Sequence, residues 1–123
     1  MAKGGARTWY FPDGYLPAKT GAGPMEAHES LMLMNVGDAD AVAMVDIYFS
    51  DRPPVKAIKI KVPAERIIAL RTDKPEDLDG AEIPLLTQYA LRVSADRNIV
   101  AQFGRLDTTQ INMAYYGCMG YHE

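Results

Sequence analysis

The sequence predicts an all-β fold, an antiparallel β-sandwich of about seven to eight short strands in a single domain. Three observations carry this. Apolar runs rich in Val, Ile, Tyr and Phe mostly alternate with polar residues at a period of two. Proline and glycine recur along the whole chain, 8 and 10 among 123 residues, and punctuate those runs. No segment has the pattern of a long amphipathic helix, and no internal repeat or shift of composition marks a second domain.

Residues 1–6 read as a flexible lead-in. Trp9-Tyr10-Phe11-Pro12-Asp13-Gly14-Tyr15-Leu16-Pro17 gathers the only Trp with two Tyr and a Phe. Proline fixes φ and glycine admits positive φ, so the stretch reads as a shaped turn. Its rings suit either a hydrophobic plug at one end of the core or a stacking surface for a ligand. Residues 18–27 read as a loop, with Gly21-Ala22-Gly23-Pro24 as a mobile flap; Pro24 removes a donor that a phosphate cradle would need.

His28 to Val36 forms a strand, ended by Gly37-Asp38, which suit the positive-φ corner of a tight turn. Ala41 to Ser50 follows, with Ala43, Val45, Ile47 and Phe49 on one face. Asp51-Arg52-Pro53-Pro54 links it as a hairpin to Val55 to Val62. There Ile58, Ile60 and Val62 point inward while Lys59 and Lys61 point out. Pro63-Ala64 breaks that strand and Glu65 to Arg71 starts the next. Residues 73–80 form an acidic loop with one helical turn. Gln88 to Ala95 alternates again, Asp96-Arg97-Asn98 reads as a turn, and Ile99 to Asp107 is the last long strand. Periodicity does not decide whether the apolar tail from Ile111 to Gly120 is strand or helix. The uncovered tail and aromatic N-terminus favour self-association into a homo-oligomer.

The net charge of −3 and a pI near 5.3 disfavour nucleic acid as a partner. One cysteine, Cys118, excludes an intrachain disulfide and suits a reducing cytoplasm. The N-terminus lacks the apolar run of a signal peptide. Two histidines and one cysteine fall short of a zinc site, and no metal or cofactor is implied. His28-Glu29-Ser30 holds the letters of a catalytic triad, but neighbouring strand residues face opposite ways and the set does not converge. No residue set meets the geometry of an enzyme, so a non-enzymatic role is expected. Glu29 is the suggestive acid: it shares a face with Leu31 and Leu33 and needs a partner or a wet pocket. Arg105, on one face with Asp107, is the candidate partner. The bland reading of the Arg105–Asp107 pair is a rim ion pair.

Trp9 with Gly14-Tyr15-Leu16-Pro17, His28-Glu29, Asn35-Val36-Gly37-Asp38-Ala39-Asp40-Ala41, Ile47-Tyr48-Phe49-Ser50-Asp51, Val62-Pro63-Ala64, Ile83-Pro84 and Arg105-Leu106-Asp107 resemble, in order and spacing, the sensory rhodopsin transducer family. The resemblance implies a β-sandwich assembling as a homotetramer. It implies a cytoplasmic protein that binds a small molecule such as a sugar or related metabolite. Coupling to a sensory rhodopsin in the membrane is the alternative; DNA binding, also proposed in the family, suits this acidic chain less. The family's pocket positions fall on Trp9, Gly14, Tyr15, His28, Glu29, Arg105 and Asp107.

Overall fold

A computed structural model describes residues 4–19, 24–108 and 112–123. The readings made for residues 1–3, for the Gly21–Gly23 flap and for the start of the tail lie outside these. The described residues form eight strands: β1 (Ala6–Tyr15), β2 (His28–Asn35), β3 (Ala41–Phe49), β4 (Val55–Val62), β5 (Arg66–Arg71), β6 (Gln88–Asp107), β7 (Ala114–Cys118) and β8 (Tyr121–His122). One 3₁₀ turn spans Pro75–Leu78 within the acidic segment. All strand pairs are antiparallel. The first sheet runs β4-β3-β6-β1-β8 and the second β5-β2-β6-β7, so the expected all-β sandwich is what forms.

The strands follow the alternation of the sequence. Ala43, Val45 and Ile47 of β3, Ile58, Ile60 and Val62 of β4, and Tyr89, Leu91 and Val93 of β6 are buried in one core with Leu31, Leu33 and Phe103 of the second sheet. Phe103 meets Phe11 and Tyr89 across the sandwich, with ring centroids 6.0 and 6.3 Å apart. Offset and edge-on aromatic packing at these separations is attractive beyond the area it buries.

Three expectations are corrected. Asp96-Arg97-Asn98 is no chain reversal: β6 runs unbroken for 20 residues and belongs to both sheets. Its first part pairs with β1 and β3, its last part with β2 and β7. The polar triplet sits where β6 bends out of register with β1, between Ala6↔Ile99 and Thr8↔Ser94. Asp96 is used there, accepting the Val42 N–H at 2.8 Å. A bulge concentrates twist and redirects a strand, so a composition that resembles a turn also suits a bend.

The aromatic N-terminal stretch is likewise a strand, β1, with a second irregularity between Phe11 and Gly14. Pro12 is accommodated at that irregularity, where ladder pairing lapses. Finally, neither Gly37 nor Asp38 takes positive φ. Asn35, almost wholly buried, closes this turn instead. Its amide donates to Ala39 O (2.8 Å) and Val62 O (3.1 Å), and its Oδ1 accepts Gly37 N–H (2.9 Å). The side chain thereby stands in for the backbone bonds a left-handed corner would supply.

Trp9 holds the bend of β6. Its Nε1 donates to Ala6 O and Ile99 O, both at 3.1 Å, from a site 7% exposed. Gly5 approaches the same Ile99 carbonyl so closely that a Cβ there would lie 1.9 Å from the oxygen. The prediction is that Trp9→Phe, which keeps an aromatic ring but removes the N–H, destabilises the fold by about 1–3 kcal/mol in urea unfolding, the usual cost of buried acceptors losing their donor.

Candidate functional site

Glu29 is the centre. Its place on β2 turns it inward, on the same face as Leu31 and Leu33, and its side chain is completely buried. A carboxylate without water needs donors on both oxygens. Directly opposite on β6 stands Arg105, whose Nε donates to Oε2 at 2.5 Å. The Tyr89 hydroxyl donates to Oε1 at 2.5 Å. The Tyr15 N–H, at the end of β1, reaches Oε1 at 3.0 Å and Oε2 at 3.2 Å. The Thr72 hydroxyl lies 2.9 Å from the Tyr89 oxygen. It donates there, since the phenol's proton is given to Glu29. The Thr72 N–H also binds the Glu29 carbonyl at 3.1 Å. The network thus joins β1 and the first half of β6 to β2 and the second half of β6.

The electrostatics follow from this burial. Desolvation, reinforced by the adjacent Glu29 charge, pushes the Tyr89 phenol far above its ordinary pKa, so it stays a donor. Burial opposes the charge on Arg105, but the Glu29 hydrogen bond and attraction outweigh it and raise the guanidinium pKa. Gly14 is required by the same packing: a Cβ there would lie 2.5 Å from the Tyr89 ring.

Outward of the buried set the surroundings become exposed and chemically mixed. The Tyr116 ring lies 5.5 Å from the Arg105 guanidinium carbon, within cation–π range. Asp13 acts on the same guanidinium electrostatically. Gln88 holds that segment through Asp13 Oδ1 (3.1 Å) and Gly14 O (3.0 Å). Tyr15 and Tyr116 are both partly exposed. Glu29 engages Arg105 through Nε, which leaves the two terminal nitrogens outside that contact.

A second polar cluster borders the first through Thr72. Asp73 receives Arg71 through Nε (2.9 Å) and Nη2 (2.6 Å), and is also paired with Lys19. Arg71 reaches Glu26 at 2.7 Å, and Lys19 donates to Ala27 O at 2.8 Å. These bonds tie Lys19 and Glu26 to the end of β5. Burial alone would raise the Asp73 pKa; the Arg71 and Lys19 bonds overcome it and hold it down at about 2.

Of the residues singled out by sequence, Gly14, Tyr15, Glu29 and Arg105 come together. Trp9 does not join them: its indole is buried at the opposite end of β1, tilted against His122 at 4.8 Å. Of the two readings of the aromatic stretch, the buried indole of Trp9 fits the plug, and it lies apart from Tyr15. His28 faces away from Glu29, as strand alternation requires, and its Nδ1 lies 2.7 Å from Glu26 O. Asp107 ends β6 opposite Ala114, two positions beyond Arg105. Sequence reasoning missed Tyr89, Thr72, Asp13, Gln88 and Tyr116. Tyr89 looks like ordinary core beside Leu91 and Val93. The available signal was stoichiometric: one arginine cannot saturate a buried carboxylate with about four acceptor sites. Among the described residues no group of three or more His, Cys, Asp or Glu is placed to hold a metal ion, and no helix is long and apolar enough to cross a membrane.

Two outcomes are expected. Arg105→Met should destabilise the fold by about 3–5 kcal/mol in denaturant unfolding by stranding a buried carboxylate, whereas Glu29→Leu combined with Arg105→Met should recover much of the loss. Asp73 stays charged in the fold down to about pH 2, but in the unfolded chain only above roughly pH 3.9. Its contribution is whole above about pH 4 and is lost as pH falls through about 2. Asp73→Asn should flatten that part of an acid-unfolding curve.

The family model of the Anabaena sensory rhodopsin transducer matches residues 4–122. A crystal structure of Thermotoga maritima 1070 is 33% identical, superposes with a TM-score of 0.83, and is matched over 97% of this chain and 96% of its own. The solved Anabaena sensory rhodopsin transducer is 32% identical with a TM-score of 0.68, over 84% of this chain and 98% of its own. No curated protein matches. A match over nearly the whole chain, with the sandwich shared by both solved relatives, places this protein in the Anabaena sensory rhodopsin transducer family.

Proposed function

We propose that this chain is a cytoplasmic, non-enzymatic signal-transducing module that assembles as a homotetramer and binds a small polyhydroxylated metabolite, such as a sugar or sugar acid. The observation that carries the ligand reading is the guanidinium of Arg105. It is fixed from below by the buried Glu29 and flanked above by Tyr116, with Asp13 and Tyr15 nearby. A pre-oriented cation, a carboxylate and two part-exposed phenols supply both charge-assisted hydrogen bonds and ring faces. Because Glu29 is already saturated, it positions Arg105 and does not itself contact the ligand. Any ligand-driven shift of Arg105 would pass through Glu29 to both sheets, which gives binding a route to the rest of the molecule.

A second reading is coupling to a sensory rhodopsin. It is favoured by the name of the solved Anabaena relative and its 32% identity. The same exposed tyrosines would then meet the receptor's cytoplasmic face.

A thermal-shift and calorimetric survey of neutral sugars, sugar acids and polyols tests the first reading. At least one compound should raise the melting temperature in proportion to its concentration. Tyr15→Ala and Tyr116→Ala should weaken binding tenfold or more while leaving the unliganded protein folded. A folded protein indifferent to the whole panel, yet captured by a membrane-embedded sensory rhodopsin, would replace the first reading with the second.

A further inference from the structure

We propose that Asp13 sets the specificity of the Arg105 face, so that it accepts neutral ligands bearing a vicinal pair of hydroxyls and rejects carboxylates. This rests on the ligand reading proposed above and narrows its chemistry.

Asp13 sits in the irregular part of β1, between Phe11 and Gly14, where ladder pairing lapses. Its place is fixed all the same. The Gln88 amide donates to Asp13 Oδ1 at 3.1 Å and to Gly14 O at 3.0 Å, which ties the carboxylate to the start of β6. Two residues on, the Tyr15 N–H holds Glu29, and Glu29 holds Arg105. One continuous set of bonds therefore positions both Asp13 and Arg105. Arg105 directs its ion pair to Glu29 and meets Asp13 only as a more distant charge. Gln88 occupies Oδ1 and leaves Oδ2 outside that contact, just as Glu29 leaves the terminal nitrogens of Arg105.

The two groups presented to a ligand are opposite in kind. A guanidinium only donates and a carboxylate only accepts, whereas a hydroxyl does both. Of two neighbouring hydroxyls, one can accept from Arg105 while the other donates to Asp13. The part-exposed rings of Tyr15 and Tyr116 flank them. A ligand carboxylate has no proton to give, so it satisfies Arg105 only by bringing its charge toward Asp13. The charges point the same way. Arg105 is one cation facing two acids, Glu29 and Asp13. The next residue on that face of β6, Asp107, is acidic as well. Lys19 and Arg71 of the neighbouring cluster are already paired with Asp73 and Glu26. An incoming anion thus meets no surplus of positive charge. Asp13 is exposed, so water screens its repulsion and the discrimination it provides is roughly three- to tenfold.

Titration calorimetry of the full chain tests this with glucose, galactose and mannose, each beside its uronic acid. The native chain should bind at least one neutral sugar about tenfold more tightly than the matching acid, and the gap should narrow as salt is raised. Asp13→Asn keeps an Oδ1 for Gln88 while removing the charge, so the melting temperature should hold. In that variant the acid should bind roughly three- to tenfold more tightly than it does to the native chain, while the neutral sugar loses affinity. A native chain that binds an acid as tightly as its neutral counterpart would overturn the role of Asp13 and leave the ligand reading standing, with no need of the variant. A variant in which both ligands shift by the same factor would do likewise. A native chain indifferent to all six compounds would overturn the ligand reading and the role of Asp13 together.

Discussion

A charge sealed inside the sandwich governs the rest of the molecule. The Glu29 carboxylate has no contact with solvent, and it survives there only because three groups from separate stretches of chain converge on it. The backbone end of β1, the phenol that opens β6 and the guanidinium near the end of β6 must all be in register at once. Removing any one leaves a buried charge incompletely satisfied, which costs more than the bond itself contributes. The network is therefore a condition on the relative placement of the two sheets. It also explains smaller features: why β1 has a glycine where it passes the Tyr89 ring, and why Thr72 is buried behind the phenol.

The strand that makes this possible is β6. It supplies Tyr89 from within the first sheet and Arg105 from within the second. A strand shared in this way couples the sheets covalently, and its bend needs local support because the ladder lapses there. Trp9 gives that support with two bonds from one N–H. The indole and the carboxylate thus act at opposite ends of the same architecture, one at the bend and one where the sandwich closes around polar groups. The Lys19–Arg71–Asp73–Glu26 cluster adds an outer layer beside the carboxylate, binding both ends of the segment between β1 and β2 to the end of β5. The proposed ligand face lies where buried order gives way to exposed tyrosine, from Tyr15 across Arg105 to Tyr116.

The alternation of Ile58-Lys59-Ile60-Lys61-Val62 is enough by itself to define a half-buried strand, because a period of two has one stable placement against a core. The same logic determined β2 through β5, the inward direction of Glu29, and its need for a cation on a neighbouring strand. Arg105 was legible for that reason: it is an inward-facing cation on the face of β6 that carries Ile99, Ala101 and Phe103. What alternation cannot express is continuity. Asp96-Arg97-Asn98 has the composition of a turn, and only pairing with β1 and β3 on one side of the bend and β2 and β7 on the other made it the middle of one strand. The aromatic run from Trp9 to Tyr15 was ambiguous for the same reason. Its residues are compatible with a plug or a ligand face, and the choice fell to Ala6 O and Ile99 O, the latter contributed by a residue far along the chain. Tyr89, Thr72 and Tyr116 joined Glu29 and Arg105 through contacts across strands and sheets, and such contacts leave no local trace. Local sequence determines which way a side chain points; which other side chain it meets is decided by the register and crossing of strands, and those are settled only when the whole core closes.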